Sequence, residues 1–465
     1  MEEKKFVLCL IILAFVARIA LAPLYISLPG EAYQIIPHDF PKYMATAESV
    51  LNGTLYITKT HIGNDSPSPY GPLLALSWAG WLKVFGQDYT LFKIPSIIYD
   101  TLSVVVIFYL VKSLFNIPTA KYASLLYAFS FMPLIISGAE GAGDSPLIFF
   151  LLLATYFLLK AKPNIKLSSL FLGIGLLVKF VVGTVFIPLI LYYFWRQKNI
   201  RQGLVYLTIT LLTVSLVTFP FFLRAGTNVF AQVIFPSNVG LSGTTLLSAV
   251  EMVVNYFTLG MANTYKDNPF IQQFTLPLIA LSLIGGTIYI VRFQLKDKKL
   301  EFIRNIFVMI LMINIFGSIG YHHIFVWLVP FIIILLVSNK KFKFSLLMAL
   351  GLIFVVSSTI IYSAFYRETK IPEYTMLEQS ALLSTVLLSA VGTYLSFRNI
   401  PWTLSTFAWA LWLTNHAKLL MVLSPVLHIF SSHLWAYGIQ DFFSVVLVIL
   451  TNFLLFFFIH KTVRE

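Results

Sequence analysis

The stretch FVLCLIILAFVARIALAPLYISL, residues 6–28, decides the fold. A helix that crosses a bilayer needs about 20 apolar residues, and this run reaches that length with one charged interruption, Arg18. It exceeds the ~7–15 apolar residues of a secretory signal, and no small-residue cleavage pattern follows it. It is therefore expected to remain as a first span. The rest of the chain repeats the pattern. Of 465 residues, 58% are hydrophobic and 11% charged, with a mean hydropathy of +0.85, whereas a soluble domain carries about 25% charged residues. The expectation is an all-α polytopic membrane protein with about 12–14 transmembrane helices. Candidate spans are 5–28, 94–115, 118–138, 145–161, 167–178, 180–195, 203–223, 270–292, 303–320, 323–338, 343–363, 376–397, 400–416 and 440–460. The short pair 167–178 and 180–195 can equally be read as a broken or re-entrant hairpin. Cys9, the single cysteine, lies in the first span, so no internal disulfide can form and the redox compartment is unreadable.

The net charge of +13 does not mark a nucleic-acid binder. The cations fall in small groups between apolar runs: Lys160/Lys162/Lys166, Arg196/Lys198/Arg201, Lys296/Lys298/Lys299, Lys340/Lys341/Lys343 and Lys461/Arg464. That is the distribution of cytoplasmic loops. It puts both termini in the cytoplasm and leaves most of the acids to the outer loops or the spans, so carboxylate chemistry is expected on the outer face.

Two outer loops are long, 29–93 and 224–269, and long loops inside compact folds are usually functional or disordered. The first is rich in aromatics, with Tyr33, Phe40, Tyr43, Tyr56, Tyr70, Trp78 and Trp81. Within it, Phe40–Leu55 has apolar residues at helical spacing, as an interfacial helix would. Leu73–Phe85 is apolar but short, which suits an interfacial or re-entrant helix. Asn52-Gly53-Thr54 and Asn64-Asp65-Ser66 are formal N-glycosylation acceptors that agree with an outer placement.

Four groups of residues could carry chemistry. Asp39 stands in a Pro-bounded aromatic setting, where partial desolvation would raise a carboxyl group toward the range of a general base; the plainer reading is a solvated loop acid. SGAEGAGDSP (137–146) places Glu140 and Asp144 four residues apart between two apolar runs. It is either a polar turn or, if the helix continues through it, a pair of acids on one face. Arg18, Asp100 and Lys179 lie inside apolar runs, where a charge is costly unless paired or facing a polar cavity. Arg18 and Asp100 could be a structural pair, Arg18 could instead snorkel outward, and Lys179, between Gly175 and Gly183, suits a lipid phosphate. His322 and His323 head a span, but adjacent histidines lack the i,i+3 or i,i+4 spacing of metal ligands on a helix; His428 and His433 are weaker still. A Walker A loop, a GxGxxG turn before a helix, HExxH and a CxxC pair are all missing from the sequence.

The order of these features resembles the GT-C superfamily of polytopic glycosyltransferases, in particular its mannosyltransferase-like branch. The resemblance rests on Arg18 in the first span, HDFPKYMATAESVLNGTLY (38–56), SPYGPLLALSWAGWLKVFG (68–86), LFKIPSIIYD (91–100), ISGAEGAGDSP (136–146), LGIGLLVKFVVGTVFIPLIL (172–191) and YHHIFVWLVPFIIIL (321–335). Two departures stand out. Gly71 replaces a usual proline, and Asp39 lacks an adjacent acid, which puts a metal dependence carried by the first loop in question.

The resemblance implies a catalytic module over 1–338 and variable C-terminal helices over 339–465. It implies inverting transfer of a hexose such as mannose from a polyprenyl- or dolichyl-phosphate donor to a lipid-linked, glycan or protein acceptor at the outer face of a cell or endoplasmic-reticulum membrane. Asp39, Asp144 and Glu140 would be the catalytic carboxylates, and Lys179 and Arg18 would hold the donor phosphate. Tyr43, Tyr70, His322 and His323 would line the cavity, with membrane lipid around them and a divalent cation left open. From another class, a lipid-linked oligosaccharide flippase or other secondary transporter would also use intramembrane charges and broken helices, but such proteins usually carry internal repeats, and none is visible here. A noncatalytic relative that kept the scaffold would not need its acids.

Overall fold

The computed structural model of the protein describes residues 2–22, 40–53, 71–225, 242–243, 269–316, 319–320, 326–338, 449–450, 452–457 and 460. Its elements run α1 (Glu2–Ile19), α2 (Phe40–Leu51), α3 (Pro72–Phe85), α4 (Tyr89–Phe92), α5 (Ile94–Leu114), α6 (Ile117–Ala128) and α7 (Phe131–Leu134). A π-helical turn (Ile135–Glu140), α8 (Asp144–Leu159), α9 (Ile165–Val178), a 3-10 turn (Phe180–Val182), α10 (Gly183–Arg196) and α11 (Ile200–Ala225) follow. Then come β1 (Ser242–Gly243), α12 (Pro269–Arg292), α13 (Lys298–Phe316), β2 (Ile319–Gly320) and α14 (Val329–Ser338). Among the described residues the fold is helical apart from the two-residue parallel pairing of β1 with β2, in register Ser242 to Ile319 and Gly243 to Gly320.

Local chemistry sets the helix ends. Asp88 accepts from the Leu91 N–H at the start of α4, and Asn164 does the same for Leu167 at the start of α9. Each satisfies a donor that the first helical turn leaves open. Asp297 caps α13 through the Lys299 and Leu300 amides. Pro72 and Pro95 lie in the first turns of α3 and α5, where a missing N–H does no harm.

Two compact units make up the chain: Met1–Ala128 with Pro133–Asn238 and Lys296–Phe302, and Phe129–Met132 with Val239–Leu295 and Ile303–Glu465. In the first unit, α5 packs on α1, α6 and α8, while α9 packs on α8 and α11. The α9–α11 seam uses small and hydroxylated residues: Gly173 lies against Thr213, Ser168 bonds Tyr206 at 2.9 Å, and Thr210 donates to the Ser169 carbonyl at 3.1 Å. Helices surrounded by lipid pack through such residues. The far side of α11 exposes Leu204, Leu211, Leu212, Leu216, Phe219 and Leu223, an apolar patch that water would not tolerate but hydrocarbon accepts. Tyr192 and Arg196 of α10 hold Glu301 at 3.0–3.3 Å. In the second unit, Gly286 of α12 lies against Met309 of α13, Tyr289 bonds His460, and α14 is buried from Val329 to Leu336.

By length and composition, Thr90–Leu114 and Ile200–Leu223 can each cross a membrane alone among the described residues. Pro72–Phe85, Asp144–Leu159, Ile165–Val178, Ala280–Arg292 and Val329–Ser338 are shorter apolar helices. The expected continuous span 118–138 is interrupted: α6 stops at Ala128, and Pro133, which cannot donate to a helix ladder, precedes the π turn. The expected surface helix in the first loop forms as α2, and it is more than a surface element, because Tyr43, Met44, Thr46 and Ala47 are buried, with α3 as its packing partner. The expected spans 343–363, 376–397 and 400–416 lie outside the described residues.

Candidate functional site

α9 ends at Val178, and the next residue, Lys179, adopts an extended backbone (φ −146°, ψ 110°) before the 3-10 turn restarts the chain as α10. The expected break in the 167–195 hairpin therefore falls on the lysine itself. Its ammonium reaches Asp144 Oδ1 at 2.7 Å, with side chains 9% and 2% exposed. Asp144 opens α8 and lies in its first turn, where the N–H groups and the helix dipole also favour a negative charge.

Gly71, the residue before α3, is tied to the backbone beside this pair. The Gly71 N–H donates to the Val178 carbonyl at 2.7 Å, one residue before Lys179. A Cβ at position 71 would run into the Leu177 carbonyl oxygen. Both facts explain the glycine where the resembling family has proline: a proline would remove the donor and add the clash. Next to it, the Tyr43 ring stacks on Trp78 with centroids 4.1 Å apart, and the Gly143 N–H points to the Tyr43 hydroxyl at 3.5 Å. A side chain at 143 would meet Leu74 and Trp78. Tyr43 thus belongs to the wall behind the acidic loop.

Glu140 does not share a helical face with Asp144. The π turn ends at Glu140, Gly141 takes a left-handed conformation (φ +67°), and α8 begins only at Asp144. The i,i+4 arrangement expected of a continued helix is therefore absent. Glu140 instead lies within electrostatic reach of Lys93, and Asp144 pairs with Lys179. Lys93 is 1% exposed, and its ammonium donates to the Ala22 carbonyl at 2.8 Å.

Arg18 is paired with Asp100 across 82 residues, Nε to Oδ2 at 2.7 Å, and its Nη1 donates to the carbonyls of Ala14 and Ala128. Its Nη2 has no hydrogen-bond partner among the described residues. The Asp100 carboxylate also accepts from Tyr127 at 2.6 Å and from Ser137 at 2.9 Å. The structural pair anticipated as one reading of Arg18 is thus present. Asp39, Tyr70, His322 and His323 lie outside the described residues. Among the described residues, no three His, Cys, Asp or Glu side chains converge as metal ligands.

Lys93, Ser96, Tyr127 and Ser137 were not singled out from the sequence. Lys93 carried the one available signal, a basic residue two before a proline at a span entry; the others read as ordinary polar residues inside apolar helices.

Solved structures share this fold, two of them of ArnT. ArnT from Cupriavidus metallidurans bound to undecaprenyl phosphate superposes with a TM-score of 0.52 at 13% identity, over 96% of this chain and 76% of that one. The apo state of the same protein gives 0.51 at 13% identity, with the same coverage. Residues 66–222, which carry Lys93, Glu140, Asp144 and Lys179, match the family described as dolichyl-phosphate-mannose-protein mannosyltransferase. No curated protein sequence matches the chain. Over residues 66–222 the chain is thus similar to a family of membrane mannosyltransferases, and it shares the polytopic fold of ArnT.

Proposed function

We propose that the protein moves a hexose, mannose by the name of the matched family, from a polyprenyl-phosphate donor to a lipid-linked, glycan or protein acceptor at the outer face of the membrane, inverting the anomeric carbon. Residues 1–338 would form the catalytic module and 339–465 a variable set of C-terminal helices, with both termini cytoplasmic. One observation carries the reading: Lys179 and Asp144 form a buried ion pair at a helix break inside the family-matched segment, with Glu140 on the loop that leads to Asp144 and Lys93 packed against that loop. The undecaprenyl phosphate bound by ArnT, a protein of the same fold, supports the donor class.

In this mechanism Asp39 takes the proton from the acceptor hydroxyl. The acceptor oxygen attacks the anomeric carbon, the bond from that carbon to the phosphate oxygen breaks, and the electron pair leaves with the phosphate. Lys179 neutralises the departing phosphate, as a preorganised cation does in a site that excludes water. Arg18 could add only Nη2, since its other donors are committed to Asp100 and two carbonyls. Asp144 and Glu140 orient the acceptor or hold a cation, and Tyr43, Tyr70, His322 and His323 complete the cavity.

The test incubates purified protein with labelled polyprenyl-phosphate mannose or glucose and a membrane lipid extract, with and without chelator. A labelled product from one donor, abolished by Asp39→Ala in a protein that still inserts and folds, is the expected result. Transfer by neither donor, or full transfer by Asp39→Ala, rejects the reading.

A further inference from the structure

The start of α5, together with the Lys93 that caps it, turns a strip of three polar side chains, Lys93, Ser96 and Asp100, toward the acidic loop. Their spacing, i, i+3 and i+7, puts them on one face of the helix. Each grips a different part of residues 137–142. Asp100 Oδ2 accepts from the Ser137 hydroxyl at 2.9 Å. Ser96 Oγ shares its single hydrogen between the carbonyls of Gly141 at 3.0 Å and Ala142 at 2.8 Å. Lys93 faces Glu140 electrostatically, and its stem lies so close to Gly141 that a Cβ there would be 2.5 Å from Lys93 Cγ. All three are 3% exposed or less. The loop they hold is irregular: a π turn, a left-handed glycine and two further residues before α8. Other contacts also reach this loop, among them the Ala142 N–H to Ile136 carbonyl bond at 2.9 Å, the Ser137 bond to Pro133, the weak Gly143 contact to Tyr43 and the approach of Gly138 to the Arg18 backbone. π turns of this kind recur at functional sites.

We propose that Lys93, Ser96 and Asp100 are positioning residues: the strip sets the place of Glu140 and of the start of α8, and so of Asp144. None of the three touches the reacting atoms in this scheme. The proposal rests on the glycosyltransferase reading for its effect on turnover, but not for its effect on the loop. It separates two jobs within one site. Lys179 meets the donor phosphate, while the α5 strip fixes the carboxylates that meet the acceptor. Loosening the strip should therefore slow turnover without weakening donor binding, since a carboxylate displaced by about 1 Å can cost roughly 100-fold in rate.

Ser96→Ala is the sharpest test, because it removes a hydroxyl without leaving a buried charge unpaired. Two readouts are taken on the purified full chain: hydrogen–deuterium exchange of the peptide covering 135–146, and kcat with the donor KM in the transfer assay. The proposal expects exchange in the loop to rise about tenfold, the effect of losing roughly one hydrogen bond from a locally opening segment. It expects kcat to fall about 10- to 100-fold with the donor KM within about twofold. Ser96→Thr, which keeps the hydroxyl, should restore both. Tyr127→Phe, which frees one oxygen of Asp100 without removing its charge, should give a smaller change in the same direction.

Unchanged exchange in Ser96→Ala overturns the proposal. So does raised exchange with unaltered kcat, or a loss that Ser96→Thr does not rescue and that tracks a lowered melting temperature. If the wild type transfers no sugar, the functional reading falls, and the exchange result alone decides: raised exchange supports the strip as the loop's anchor, and unchanged exchange rejects it.

Discussion

Lys179 and Asp144 lie 35 residues apart in sequence and meet at 2.7 Å, one at a helix break and the other in the first turn of a helix. Removing one member strands the other. Lys179→Met leaves a carboxylate in a dry setting and is expected to destabilise the protein by about 3 kcal/mol, the lower end for breaking a buried pair. The double variant Lys179→Met/Asp144→Asn should regain most of that stability, because neutral groups leave no stranded charge, yet it should remain inactive. Denaturation of the two single variants and the double variant in micelles, closed into a cycle, gives the coupling. A coupling near zero would remove the pair from the account.

Gly71 explains its own departure from the family pattern. Gly71→Pro loses the hydrogen bond to the Val178 carbonyl and collides with Leu177, so restoring the family's proline should harm this protein. About 2 kcal/mol or more is expected from the lost bond and the clash, read as a lowered melting temperature. Gly71→Ala keeps the N–H but not the space, and should fall between the proline variant and the wild type.

Two positive-φ glycines separate backbone strain from steric clash. Gly86 (φ +70°, ψ −161°) has nothing within 4 Å of its would-be Cβ but sits in a region that essentially only glycine adopts, so Gly86→Ala should cost about 1–3 kcal/mol of backbone strain and leave transfer unchanged. Gly141 (φ +67°, ψ 29°) is left-handed and has Lys93 against it, so Gly141→Ala should cost about 1–2 kcal/mol of backbone strain plus a steric term, and should also lower transfer by displacing Glu140. A Gly141→Ala loss no larger than that backbone term, read by denaturation, would show that Lys93 gives way without resistance.

How much of this could be read from the chain follows from the range of each interaction. The helical membrane character is a property of composition, visible in any window, and the break at Lys179 was signalled by its charge between Gly175 and Gly183. Glu140 and Asp144 were visible as acids, but their separation was not: it depends on Gly141 taking a positive φ, and three glycines within six residues leave open which one does so. Arg18 and Asp100 were a plausible pair among several, because helical spacing carries no information across 82 residues. Lys93 and Ser96 were missed because their partners are backbone carbonyls and a loop whose fold is set by tertiary packing. Asp39, the proposed base, lies outside the described residues and stands on sequence alone.

Tyr43 offers a last test, one that separates packing from hydrogen bonding. Its ring stacks on Trp78 at 4.1 Å, while its hydroxyl is 3.5 Å from the Gly143 N–H, at the outer edge of a hydrogen bond. Tyr43→Phe should therefore cost at most about 1 kcal/mol and leave transfer within a few-fold of the wild type. Tyr43→Ala removes a buried aromatic from between α2 and the acidic loop and should cost about 3 kcal/mol or more, with transfer falling steeply. Melting curves and initial rates on the two variants decide the matter. A Tyr43→Phe protein as inactive as Tyr43→Ala would mean that the hydroxyl acts directly on substrate, and would move Tyr43 from the wall of the site into its chemistry.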